Sequence, residues 1–273
     1  MDRKLLYGGV GAVIIAAIAI ALVLNSSNGS GSALIRYDNV QMPAQQLSQL
    51  KGIAMNTSLA DAVGLGSAAN LPSFTNTTKV FETNGKPTML YIGADFCPYC
   101  AITRWGMVIA MMRFGNFTML HYMTSSATDV YANTPTFTFY NSSYQSNLIS
   151  FIELEEETNT YKTLQTPTAL ENGVFTRYDL NNPNVPSQLK GGIPFIDFGN
   201  VSVQPAAEID PQVVKGYSWA QIIDLLNNTN SPVTQALIGE ANVFTAQICK
   251  MTNSSNAAVC SQPYVKQILS YQS

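Results

Sequence analysis

The chain has 273 residues, of which 46% are hydrophobic and 10% aromatic, enough for a generous core, but only 11% are charged. Its net charge is −3 and it contains no basic run, which excludes nucleic acid and any strongly charged surface as a partner. Asn, Ser, Thr and Gln fill the surface instead. Such neutral groups lose less stability in an acidic exterior than carboxylates that must be protonated.

Residues 1–4 form a short tail, and residues 5–24 carry no charge. An uncharged run of about 20 residues is long enough to cross the hydrocarbon core as a helix. Arg3 and Lys4 precede it and the next charge is Arg36, so the tail is expected in the cytoplasm and the rest of the chain outside the plasma membrane. A cleaved signal peptide is the competing reading. It calls for a shorter apolar region and for small residues at a cleavage site, and Asn25-Ser26-Ser27 suits that poorly.

N-x-[ST] sequons begin at Asn25, Asn28, Asn56, Asn76, Asn116, Asn141, Asn200, Asn227 and Asn253. They are glycosylation candidates consistent with an external location, although a chain rich in Asn, Ser and Thr makes some by chance. Residues 25–36 contain the run NSSNGSGS, the composition of a flexible linker. An N-terminal extension, 37–78, follows, with helices expected at 43–55 and 58–63 and a turn-rich end.

The main domain is expected over 79–227. A turn at Gly85-Lys86-Pro87 leads into 88–93 (TMLYIG), a buried strand by its apolar run. Cys97-Pro98-Tyr99-Cys100 follows at once, then a helix over 101–113 and a strand over 118–123. Residues 125–190 are polar and turn-rich, with one strand expected at 148–154, and read as an insertion. Residues 193–198 and 200–203 make a hairpin, and 218–227 an amphipathic helix. A C-terminal helical extension, 228–273, holds helices at 233–251 and 263–271.

Cys97 falls where a helix begins. An N-cap sulfur faces the unpaired N–H groups of the first turn, and Pro98 at the first helical position suits the start. Those donors and the helix dipole stabilise a thiolate. Three residues on, Cys100 lies on the same face within disulfide reach. Cys97 is therefore the expected nucleophile and Cys100 the resolving thiol. A zinc site would need four ligands, and His121 is the chain's one histidine, so no metal is expected. The active disulfide itself would be the redox group, with no other cofactor. Cys249 and Cys260 flank a polar stretch between two expected helices. A structural disulfide is the favoured reading, a second redox pair the sharper one.

Phe96-Cys97-Pro98-Tyr99-Cys100 after an apolar strand resembles the active site of the thioredoxin superfamily, with the Pro-Tyr dipeptide of glutaredoxins. Gly192-Ile193-Pro194-Phe195, with Asp197-Phe198-Gly199-Asn200, resembles its cis-proline strand and hairpin. Gly85-Lys86-Pro87, Leu90-Tyr91-Ile92-Gly93-Ala94, Arg104-Trp105, Arg113-Phe114-Gly115, His121-Tyr122-Met123-Thr124-Ser125-Ser126 and Thr134-Pro135-Thr136-Phe137 look like a largely archaeal thioredoxin-like family, domain of unknown function 929. The resemblance implies an α/β thioredoxin-like fold, a central mixed sheet flanked by helices with the insertion before the cis-Pro strand. It implies a cis Ile193–Pro194 peptide opposite Cys97, with the backbone at Ile193 pairing with substrate. Thioredoxins keep a buried carboxylate six residues before the first cysteine, and here that position is Tyr91.

The expected function is thus a membrane-anchored thiol–disulfide oxidoreductase outside the cytoplasm. Its catalytic residues would be Cys97, Cys100 and Pro194, and Ile193, Phe96 and Tyr99 would contact substrate. Protein thiols or disulfides and a membrane redox partner are its expected partners. The alternative is a non-catalytic cell-surface binding module on the same scaffold. His121 reads as a hydrogen-bonded structural residue, Trp105 and Trp219 as core anchors, and Glu153, Glu155, Glu156 and Glu157 as a solvated acidic face.

Overall fold

A computed structural model describes residues 36–68, 70–75, 77 and 79–272. The expected anchor, nearly all of the linker and Asn25, Asn28 and Asn76 lie outside the described residues. Among those described, no helix is long and apolar enough to cross a membrane.

The strands are β1 (Val40–Gln41), β2 (Ser73–Phe74), β3 (Glu82–Thr83), β4 (Lys86–Gly93), β5 (Asn116–Thr124), β6 (Pro135–Gln145), β7 (Ser150–Glu155), β8 (Phe195–Phe198) and β9 (Ser202–Gln204). The helices are α1 (Ala44–Ala54), α2 (Thr57–Val63), α3 (Pro98–Met112), α4 (Ala169–Phe175), α5 (Trp219–Leu225), α6 (Pro232–Met251), α7 (Ala257–Cys260) and α8 (Pro263–Ser270). The larger sheet is mixed. β4 is its centre, antiparallel to β8 on one edge and parallel to β7 on the other. Beyond β8 lie β9 and then β2, and β3 makes a hairpin with the start of β4.

From Met89 onward β4 is apolar because both of its faces are covered. Met89 and Tyr91 point into the main core with α3 and α6, while Leu90 and Ile92 point into a smaller core with Val174, Phe175 and Tyr178. The sheet therefore lies between helices. Every residue of α3 except Tyr99 is buried, so its apolar character runs all round rather than along one stripe. Gly106 on α3 lets α6 approach closely: a Cβ there would lie 2.5 Å from the Glu240 carboxylate. Arg113 closes the other end of α3 by donating to Ala54 O, Asn242 Oδ1 and Thr245 Oγ1 at 3.0, 2.9 and 2.7 Å. One side chain thereby ties α1, α3 and α6 together.

The segment 125–190 differs from the single insertion expected. It holds β6, an eleven-residue strand that the sequence reading misses, and β7, which is the parallel neighbour of β4. β5 is not that neighbour; it pairs with β1 and β6 in a separate three-stranded sheet. The β5–β6 hairpin is thus what separates α3 from β7. Trp105 and Trp219 anchor this hairpin as well as the core, donating Nε1–H to Pro135 O and Thr136 O at 2.9 and 2.6 Å. His121 is buried, and its Nδ1 has no hydrogen-bond partner.

Candidate active site

The site forms where β4 ends and α3 begins. Cys97 is the N-cap of α3, with φ −76° and ψ 119°, and its Sγ accepts the Cys100 N–H at 3.2 Å. Pro98 occupies the first turn, where no backbone donor is missed. On its other side the Cys97 thiol points at Ile193 O, 4.0 Å away. Ile193–Pro194 is a cis peptide leading directly into β8. Ala94, Phe96, Cys97 and Cys100 make a small apolar cluster with Ile193 packed against it. Five residues singled out from the sequence, Cys97, Cys100, Ile193, Pro194 and Phe96, thus come together.

Both cysteines are free thiols, Cys97 exposed by 5% and Cys100 by 0%. Burial alone pushes the Cys97 thiol up. Hydrogen bonds from the Cys100 thiol and N–H, the charge of the Arg104 guanidinium and a hydrogen bond from the Tyr99 N–H outweigh it and hold the group below its ordinary value. Cys100 moves the opposite way, pushed far up by burial and then by Cys97 as hydrogen-bond partner and charge. One sulfur is therefore disposed to ionise while its neighbour keeps its proton.

Two pairs of aromatic rings involve the residues flanking Cys97 and Cys100. Tyr99 is 41% exposed and meets Tyr131 edge-on at 5.8 Å. Phe96 is largely covered, its ring against that of Tyr161 at 4.6 Å, and Tyr161 is the exposed member of the pair. Two loops hold these rings. Phe96 O accepts the Ser126 N–H at 2.9 Å, and Asp95 N–H donates to Glu157 O at 2.9 Å. Neither Tyr131 nor Tyr161 carries a local motif that sequence reading could use.

Beneath the sulfurs lies a cluster of charge that sequence reading also misses. Arg104, wholly buried on α3, donates Nε–H and Nη2–H to the two carboxylate oxygens of Glu155 at 2.9 and 2.5 Å. Nη2 also reaches Ala94 O at 2.8 Å and lies 3.7 Å from Asp95. The acidic run is not a solvated face: Glu155 is fully buried, and Glu153, Glu156 and Glu157 are half-buried. β7 carries Glu155 in register with Gly93, three residues before Phe96, and this explains the burial. Burial, then Glu155, pushes Asp95 up to about 8. Tyr91 is buried beside the cluster with its hydroxyl unpartnered.

Cys249 and Cys260 are disulfide-bonded, joining the end of α6 to α7 within the main core. The bond expected between these two cysteines is thus present. Among the sequons, Asn116, Asn141, Asn227 and Asn253 are exposed. Asn56 is exposed but caps α2 by accepting the Leu59 N–H at 3.0 Å, and Asn200 is half-buried in the β8–β9 turn. Among the described residues no group of three or more His, Cys, Asp or Glu could hold a metal ion.

By its fold the protein is of the mixed α/β class, a mixed sheet between helices with two free thiols at a strand-to-helix junction. The model of the family DUF929, a domain of unknown function, matches residues 73–250, and the chain belongs to that family. No curated protein and no solved structure matches it.

Proposed function

We propose that the chain is a thiol–disulfide oxidoreductase of thioredoxin-like fold, acting on protein cysteines through Cys97 and Cys100. The observation that carries this is the position of Cys97 Sγ, between the Cys100 N–H at 3.2 Å and Ile193 O at 4.0 Å. The order of elements supports it: central strand, CxxC, helix, a parallel strand on one edge, then an antiparallel strand entered through a cis-proline and a hairpin. In the reaction the Cys97 thiolate attacks a substrate disulfide, one substrate sulfur leaves with the electron pair, and a mixed disulfide forms. The Cys100 thiolate then attacks Cys97 Sγ, the mixed-disulfide bond breaks and the second substrate sulfur leaves with its electron pair, so the substrate is reduced by two electrons and Cys97–Cys100 is oxidised. The reverse sequence oxidises a substrate dithiol. The uncharged run 5–24 supports a single membrane anchor that places the domain outside the plasma membrane.

The second reading is a non-catalytic binding module at the cell surface, and the 5% exposure of Cys97 favours it. Exchange with glutathione and reduction of insulin disulfides separate the two. On the catalytic reading Cys97→Ser abolishes both reactions, and Cys100→Ser accumulates a mixed disulfide with the substrate. A wild-type chain whose thiols exchange with no disulfide belongs to the second reading.

A further inference from the structure

A buried guanidinium is costly unless its donors are met and its charge is compensated. Arg104 is wholly buried, and Glu155 holds it in a two-point fork, yet its Nη1 has no partner. Its place on α3, four residues after Cys100, puts it on the helix face of that cysteine. The ion pair is polarised across the site. Its carboxylate end belongs to β7, where Glu155 also accepts the Phe139 N–H, and its cationic end belongs to the helix that bears both sulfurs. The guanidinium favours the ionised form of Cys97 and of Cys100 alike. Burial pushes Asp95, 3.7 Å away, up to about 8, which weakens the charge it can set against the guanidinium. At the position where thioredoxins place a carboxylate this chain has Tyr91, which brings no charge of its own.

We infer that Arg104, fixed by Glu155, is a positioning residue that sets the direction of the site: it stabilises the reduced pair, makes the Cys97–Cys100 disulfide an oxidant, and so points to reduced protein dithiols as the substrate class. This rests on the oxidoreductase reading above. A disulfide whose reduced form is stabilised is the stronger oxidant. In the step itself a substrate thiolate attacks Cys97 Sγ, the Cys97–Cys100 bond breaks, and its electron pair goes to Cys100 Sγ. A second substrate thiolate attacks the substrate sulfur of the mixed disulfide and leaves the pair on Cys97. The substrate loses two electrons and two protons. The electrons reside on the cysteine pair, and the protons pass to it or to solvent. A small disulfide, oxidised glutathione in the assay, restores Cys97–Cys100 and is reduced to two glutathione thiols.

The test is redox equilibrium of the full chain with glutathione, read by thiol trapping, alongside titration of thiolate absorbance. In a buffer of about 1 mM each of reduced and oxidised glutathione, a strong oxidant stays mostly reduced and a thioredoxin-like reductant becomes fully oxidised. The wild type is expected to be more than half reduced. Removing both charges in Arg104→Met/Glu155→Leu should shift the equilibrium at least tenfold toward the disulfide, about 30 mV more reducing, and move the Cys97 thiolate titration to higher pH. Arg104→Lys should keep most of the wild-type equilibrium. A fully oxidised wild type overturns the inference even if the double variant fails to fold. So does a folded double variant with unchanged equilibrium and titration. In both cases exchange itself persists and the oxidoreductase reading survives. A wild type that does not exchange at all takes both readings with it.

Discussion

The Cys97 sulfur and the Ile193 carbonyl oxygen stand 4.0 Å apart, the first on the N-terminus of α3 and the second at the entrance to β8. Their approach brings one thiol to the margin of the fold, while Cys100, three residues on, is sealed beneath it. Alkylation should report this difference directly. The Cys97 thiol is held below its ordinary value and Cys100 is pushed far above. Iodoacetamide near neutral pH should therefore label Cys97 alone, with Cys100 modified only after unfolding. The rate of labelling should level off at a lower pH than it does for an ordinary cysteine thiol. Peptide mass mapping checks it, and equal labelling of the two cysteines in the native chain would contradict the assigned roles.

Stability should fall as pH rises from mild acid to mild alkali. Asp95 is pushed up to about 8, and Glu153 and Asp197 to about 7, in each case chiefly by burial. For each group the folded value exceeds the unfolded one, so between about pH 4 and pH 8 the folded chain binds protons that the unfolded chain has released. The slope of unfolding free energy against pH is then negative. The contribution is fully present below the unfolded values and is lost as pH rises through the folded ones. Urea midpoints at pH 4.5, 6 and 8 should decline in that order. A midpoint that rises across the series would show that these carboxyls are ionised in the native state. The same slope would suit the low-charge surface to an acidic exterior.

Much of this arrangement can be read from local pattern. The cap at Cys97, the proline after it, the all-round apolar α3 and the run at 88–93 are all short-range signals, and β4 and α3 lie where those signals point. β6 escapes because its Asn, Ser and Tyr resemble a loop, although Thr136-Phe137-Thr138-Phe139 alternates as a strand does. All four of those residues are buried, the threonines as well as the phenylalanines, so composition is a poor guide to their exposure. Glu155 was illegible for a different reason. Its burial depends on Arg104, fifty-one residues away, and a run of four acids in five residues looks solvated until that partner is known.

The disulfide between Cys249 and Cys260 should act on stability and leave the Cys97 chemistry untouched. It closes a sequence separation of 11 residues at the edge of the main core, whereas Cys97 and Cys100 sit in their own small cluster. A loop of that length contributes about 3 kcal/mol in the chain-entropy account. Replacing both cysteines by alanine should lower the urea midpoint accordingly, with the rate of Cys97 alkylation unchanged. A loss of Cys97 reactivity in a folded double variant would instead couple the two pairs.

Gly106 and Glu240 face each other where α3 packs on α6, and a double-mutant cycle should expose their contact. A Cβ at Gly106 would lie 2.5 Å from Glu240 Oε2, 2.9 Å from Cγ and 3.0 Å from Cδ. Glu240 is 1% exposed and neither carboxylate oxygen has a hydrogen-bond partner, so burial, then Glu208, pushes it well up and it is held as the neutral acid. Sealed among core residues, the side chain has little room to turn away. Gly106→Ala should therefore cost about 1–3 kcal/mol through overpacking. Glu240→Ala removes both the obstructing atoms and a buried polar group without partners, so its own cost should be small. In the double variant the added methyl meets the vacated space, and the cost should be less than the sum by about 0.5–3 kcal/mol. Urea unfolding of the four chains measures that coupling. Costs that simply add would mean that the two helices separate to admit the methyl, and that the approach at Gly106 is not set by Glu240.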